Sequence, residues 1–470
     1  MNIIFYLGLI LIISILSCKL TGKINLPVLA GFILIGILLG TQVGFANMAV
    51  AESACNFALL FIIFTGGFQT DFKTTKPVLA VSTILASLGT VLTATLAAVF
   101  AYFILGLELH AAMLLGAVVS ATDAASVFSV LNSKRLNLKN NLGSILEMES
   151  GTNDPIAYML TVVFIALAMG TSQNVALLLF MQIFAGAAVG VVGGLLGKRL
   201  INHLNLKIDG VYAVLVIGLA LLIYGGASAA DGNGFLAVYI GGMIMSNGKL
   251  VYKQYLQRIL GVGSMLMQVG LFVVLGVLFM PSMFVKILPV GIIFALFMFF
   301  IARPAVMTLI MKPFRYTFKE IAFISWAGLR GASSIVFSTY LLSAGLPYGE
   351  YVFSVVFFVC LLSVICQGSL LSKLANLFNL VAPEETKLKT IEEYTKEAAN
   401  HLLEVAVPEH GIVCNQPVSA LGMPENVFIV MIKRAEKYLV PNDATIILAA
   451  DTLVIASEDV AQIKFLSDVL

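Results

Sequence analysis

Residues 143–163 read GSILEMESGTNDPIAYMLTVV, and they hold a conflict. The flanks are apolar enough for a helix in lipid, yet the centre carries Glu149, Ser150, Asn153 and Asp154. Residues four apart share a helix face. Glu149 therefore aligns with Asn153, and Ser150 with Asp154, in one oxygen-bearing stripe. Hard cations take oxygen ligands. Pro155 has no N–H, so the Gly151 carbonyl loses its helical partner. Free backbone at membrane depth is tolerated where it lines a cavity.

The rest of the chain supports a membrane setting. Of its 470 residues, 60% are hydrophobic and 11% charged, against roughly 25% charged in soluble domains. That excludes a water-soluble enzyme and a disordered chain. A net charge of +2 gives no basic excess for nucleic acid. The His residues (110, 203, 401, 410) are not at ligand spacing, and the Cys residues (18, 55, 360, 366, 414) form no CxxC pair. Neither zinc nor a disulfide framework is indicated.

A span needs about 20 mostly apolar residues. The sequence predicts thirteen, near 3–18, 26–41, 54–69, 78–106, 110–131, 143–169, 173–197, 211–230, 234–248, 261–280, 287–310, 320–344 and 350–372. The segment at 234–248 is the weakest. Seventeen Lys and Arg follow odd-numbered segments, and Lys286 alone follows an even-numbered one. This asymmetry predicts an outer N-terminus and a cytoplasmic C-terminus. The opening MNIIFYLGLI lacks a basic region and reads as a retained anchor.

Residues 1–380 are thus expected to form the membrane domain and 381–470 a small α/β cytoplasmic domain. In the latter, VAPEETKLKTIEEYTKEAAN favours helix and PEHG a turn. HLLEVAVP, NVFIVMIKR, YLVP, ATIILAA and TLVIAS are strand candidates. The domain is near the lower size limit for standing alone, which favours dimerisation.

Charge inside a bilayer is costly and usually functional. The intramembrane candidates are Asp123, Glu149, Asp154, Arg303 and Arg330. Glu52, Glu108, Asp231 and Glu350 fall at outer ends. Asp123 lies roughly 20 Å from the outer end of segment five and Asp154 roughly 16 Å into segment six, so two antiparallel helices bring carboxylates near midplane. Ser120, Thr122 and Ser126 add hydroxyls beside Asp123. Arg stays charged, so three acids against two Arg leave one carboxylate for a proton or a cation. Glu149 with Arg303 is the expected permanent brace. Gly328 and Gly331 beside Arg330 permit a broken helix.

ESGTNDP on segment six, SATDAASVFSVL on segment five and GLRGASSIV on segment twelve resemble bacterial monovalent cation:proton antiporters of the NhaP type. The likeness is to the potassium/proton branch with a C-terminal RCK (TrkA-C) domain. It implies an NhaA-like antiporter fold: a polytopic α-helical membrane protein with thirteen helices, inverted repeats, two discontinuous crossing helices and a homodimer. Asp154 matches the ion-binding acid, Asn153 its neighbour, and Thr122 with Asp123 the Thr-Asp pair of the first crossing helix. Ser150 matches a cation-ligating hydroxyl. Glu149 matches the acid paired to Arg303, and Arg330 the Arg of the second crossing. A Pro-containing run of many relatives is replaced by Ala332-Ser333-Ser334-Ile335-Val336. The tail lacks a preceding Rossmann half, so NAD or ATP is not expected. A cyclic dinucleotide or a cation is the analogous regulatory ligand.

The expected activity is electroneutral K+/H+ antiport by alternating access, without cofactor, nucleic acid or protein partner, in the bacterial cytoplasmic membrane. Desolvation opposes charge on buried Asp154, and a bound cation restores it. Proton and cation then compete for one acid, and Asn153 carries no second proton. Na+ or Li+ exchange is the alternative. A passive channel is more remote, since no carbonyl filter such as TVGYG is present. A hydrolase lacks an intramembrane His, and an organic-anion carrier would want fixed positive charge.

Overall fold

The computed structural model describes residues 3–23, 27–43, 48–134, 136–171, 174–204, 208–382, 402–408, 414–421, 423, 427–434 and 437–457. Two compact units result, Met1–Pro383 and Glu384–Leu470.

The first unit is helical. Its helices are α1 (Ile3–Lys23), α2 (Val28–Val43), α3 (Met48–Gln69), α4 (Phe72–Phe103), α5 (Leu109–Ser120) and α6 (Ala124–Ser133). Then come α7 (Leu142–Ala168), α8 (Val175–His203), α9 (Asp209–Ala229), α10 (Gly234–Ser246) and α11 (Lys253–Val277). Last are α12 (Pro281–Phe314), α13 (Phe318–Ala327), α14 (Ala332–Ser343) and α15 (Gly349–Leu377).

Each of the expected segments overlaps one helix or one broken pair. Length and apolarity qualify eight of the described helices as spans, or nine if α13 and α14, bent by 45°, count as one. Gly8–Ser17, Val28–Gly40, Leu109–Ser120 and Gly234–Ser246 are apolar but shorter than a full crossing. The weak segment at 234–248 is the 13-residue α10.

Close helix contacts rest on small residues, as lipid offers no hydrophobic drive for association. At the α2–α11 contact, a Cβ on Gly36 would stand 2.2 Å from the Val273 carbonyl oxygen and 2.8 Å from Gly276 Cα. Among the described residues, three helices contain a π-turn: Leu85–Gly89 in α4, Met298–Ala302 in α12 and Ser363–Gln367 in α15. The second directly precedes Arg303-Pro304, where the missing proline N–H removes one helical bond. Such turns frequently mark functional sites.

The second unit is an antiparallel sheet of β1 (Leu402–Ala406), β2 (Val427–Arg434), β3 (Lys437–Leu439) and β4 (Thr452–Ser457), in the order β1-β4-β2-β3. Val407, Ile432, Ile447, Leu453 and Ile455 form its core. The expected ATIILAA strand does not form. Its Ile446 makes one isolated bridge to Pro417, and Ala450 turns with φ 63°. Asp451 ends the segment by accepting from the Leu448 N–H at 2.9 Å. The helix expected in VAPEETKLKTIEEYTKEAAN, from residue 383 on, and most of the PEHG turn lie outside the described residues.

Candidate functional site

Two helix breaks meet. One separates α5 from α6 at residues 121–123, and the other separates α13 from α14 at residues 328–331. The Asp123 amide donates to the Leu329 carbonyl at 2.8 Å. The first break has neither Gly nor Pro. Capping holds it instead: Asp123 Oδ1 accepts from the Ser126 N–H at 3.2 Å, and Oδ2 from Ser126 Oγ at 2.5 Å. The glycines of the second break serve close approach. A Cβ on Gly331 would stand 2.1 Å from Asp123 Oδ2, and one on Gly328 would stand 2.5 Å from Arg303 Nε.

Charge follows the helix ends. Asp123 sits at the N-terminus of α6 and against Gly331, the N-cap of α14. Arg330 takes the opposite role. Its Nη1 donates to the carbonyls of Ser120 (2.7 Å) and Ala121 (2.9 Å), the C-terminus of α5. An anion near helix N-termini and a cation at a C-terminus both complement the macrodipole. Ser363, in the π-turn of α15, accepts from the Arg330 N–H at 2.9 Å.

α7 supplies the stripe. Arg303 Nη2 lies 2.6 Å from Glu149 Oε1, with both side chains buried. It is an ion contact without aligned hydrogen-bond geometry. Asn153 Nδ2 donates to Thr122 Oγ1 at 2.5 Å, and Ser150 Oγ donates to the Thr122 carbonyl at 2.6 Å. Both residues thus tie α7 to the unwound strand. Asp154 is 8% exposed, and its Oδ1 makes no hydrogen bond. Ser333 and Asp123 act on it electrostatically.

A cavity of about 450 Å³ reaches Asp154. Asp123, Ser150 and Asp154 line it, whereas Thr122, Asn153 and Glu149 are not among its lining residues. One turn beyond Asp154 stands an aromatic cluster. Tyr158 packs on Phe235 (ring centroids 5.0 Å), Tyr340 (5.6 Å) and Phe337 (5.7 Å). The Tyr340 hydroxyl donates to Asn56 Oδ1 at 2.8 Å, and Ser343 donates to Glu52. Asp154 therefore has space on the side of Glu147 and Gln69, and packed rings on the other.

Thr65, Gln69, Ser129, Glu147, Tyr239, Ser264 and Gln268 also line the cavity and were not singled out from the sequence; Glu147 and Tyr239 matter most. Glu147 lines it, so the intramembrane acids outnumber the three expected. Its signal was present, as Glu147, Ser150 and Asp154 fall at i, i+3 and i+7. Tyr239, from the weakest segment, lines it too. Nothing local marks that tyrosine.

Residues 8–377 match the family model for the sodium/hydrogen exchanger, transmembrane. The chain belongs to the sodium/hydrogen exchanger family. Residues 402–466 of this exchanger match the TrkA-C domain, as the tail motifs led one to expect. It is 34% identical over 409 residues to the K(+)/H(+) antiporter NhaP of Alkalimonas amylolytica, covering 86% of this chain and 71% of that one. It is 31% identical over 472 residues to the K(+)/H(+) antiporter NhaP2 of Shewanella oneidensis, covering 97% and 82%. The exchanger fold is similar to the solved structure of the sodium proton antiporter MjNhaP1 from Methanocaldococcus jannaschii. There the TM-score is 0.69 at 24% identity, over 78% of this chain and 98% of that one. The NhaP-type resemblance carried by ESGTNDP, SATDAASVFSVL and GLRGASSIV is thereby borne out.

Proposed function

We propose that the chain exchanges K+ for H+ one for one, with both ions competing for Asp154. One observation carries this reading: a nearly buried carboxylate with an unpartnered oxygen ends a cavity that is closed beyond it by rings. An acid in that position holds a proton or a cation, since its charge has no fixed partner there. Among the described residues, Arg303 contacts Glu149 and Arg330 contacts carbonyls. Ser150 and Asp123 line the same cavity and place oxygen atoms beside the acid. Asn153 is engaged with Thr122 and brings no second ionising group. The names of the two relatives support potassium over sodium.

Lys and Arg placement supports a cytoplasmic position for the cavity side of α7, and with it the reading of an inward-open carrier. Alternating access moves the two broken helices and α7 against α3, α10 and α11. Thirteen spans, an outer N-terminus, inverted repeats and a homodimer in the bacterial cytoplasmic membrane complete the reading. The TrkA-C domain is the regulatory part, with a cyclic dinucleotide or a cation as its ligand.

The test is pH-gradient dissipation in proteoliposomes with K+, Na+ and Li+ in turn. Asp154→Asn abolishes cation-driven flux while folding normally. Full flux in that variant removes Asp154 from the mechanism, and strong voltage dependence removes the one-for-one stoichiometry.

A further inference from the structure

The cavity carries an acid that the exchange step leaves unused. Glu147, Ser150 and Asp154 lie on one face of α7, and all three line the space. At 1.5 Å per residue, Glu147 stands roughly 10 Å before Asp154 along the helix. Tyr239 faces it from α10. That residue is 2% exposed, and its hydroxyl makes no hydrogen bond. The ring is held in place, because a Cβ on Gly151 would stand 2.4 Å from Tyr239 Cε2. The Thr70 and Thr152 hydroxyls and the Glu147 carboxylate act electrostatically on the Tyr239 hydroxyl, and Asp71 and Thr70 act on Glu147.

A buried hydroxyl without a partner is costly, and burial beside a carboxylate makes a cation its natural complement. Among the described residues, the cavity lining holds Asp123, Glu147 and Asp154 but no Lys or Arg. Oxygen donors of this kind suit an alkali-metal ion. We propose that Glu147 and the Tyr239 hydroxyl form a second monovalent-cation site about two helical turns from Asp154, where the ion loses water before reaching the exchange acid. This deepens the exchange reading and rests on it for the direction of travel.

Binding is separated from transport by thermal unfolding of the full-length protein in KCl, NaCl or choline chloride at equal ionic strength. Asp154→Asn keeps an alkali-cation stabilisation relative to choline, and adding Glu147→Gln removes it. In otherwise unaltered protein, Glu147→Gln and Tyr239→Phe each raise the half-saturating cation concentration of flux about tenfold, the loss expected for one ligand. Maximal rate changes less than about twofold, since the exchange acid is untouched. No cation-specific stabilisation in Asp154→Asn overturns the second site. Unchanged half-saturation in Tyr239→Phe, the variant least disturbing to the fold, also overturns it. Persistent flux in Asp154→Asn overturns the exchange reading instead, and the unfolding experiment still decides the second site.

Discussion

The Asp123 amide donates to the Leu329 carbonyl at 2.8 Å, so the unwound stretch of one broken helix is fastened to that of the other. Each break leaves backbone groups without helical partners, which lipid cannot satisfy. Joining the breaks lets each supply part of what the other lacks. The arrangement also packs the Asp123 carboxylate against Gly331.

That contact makes Gly331→Ala costly. The new Cβ would fall 2.1 Å from Asp123 Oδ2, so the carboxylate or the α14 start must move. Overpacking of this kind costs about 1–3 kcal/mol. The expected outcome is a lower unfolding temperature in detergent and flux reduced by about tenfold or more, read in the same proteoliposomes.

The Arg303–Glu149 pair predicts a non-additive pattern. Removing one partner strands a buried charge, at about 3–5 kcal/mol, whereas replacing both with apolar residues is often neutral. Glu149→Leu and Arg303→Met alone should each lower expression and thermal stability, and the double variant should recover most of it. Equal losses that simply add would show that the two side chains do not act as a pair.

The ring cluster beyond Asp154 predicts a shift in side preference. Tyr340→Phe keeps the packing on Tyr158 and loses the bond to Asn56. A net hydrogen bond of about 1 kcal/mol corresponds to a change of about fivefold between inward and outward forms. A cysteine at Thr65, which lines the cavity, reports this. Its labelling from the cytoplasmic side by an impermeant thiol reagent should slow, by at most that factor, in a background without native cysteines.

In the second unit, Arg434 Nε and Nη2 donate to Asp451 at 2.9 and 2.7 Å. These bonds, with the Leu448 amide, hold the Asp451 carboxyl below the usual range. A depressed folded value means the stabilisation is complete above the unfolded value of about 3.9. It is lost as pH falls through the folded one. Protection of β4 amides in the full chain, measured as exchange relative to the intrinsic rate at each pH, should therefore fall with acid below about pH 4. Asp451→Asn should raise exchange at neutral pH and flatten that dependence.

Much of this protein was legible residue by residue. Hydropathy is a sum over neighbours in the chain, so the helices of the first unit, the polar stripe of α7 and four of the five tail strands could be read locally. The ATIILAA segment has strand composition, yet Asp451 and Ala450 terminate it through a turn that composition does not encode. The break at residues 121–123 likewise carries no Gly or Pro, and its capping by Asp123 appears only once Ser126 is in place.

By itself, the sequence established a membrane chain with acids in its interior and a small appended domain, because lipid penalises every uncompensated polar group regardless of its partners. Which acids meet a fixed partner was decided by the tertiary structure. Arg303 reaches Glu149, Arg330 turns to the end of α5, and Asp123 caps α6. Asp154 is left beside a cavity that it shares with Glu147 and Tyr239. Partner choice and burial depend on residues far apart in the chain, and only packing brings those together.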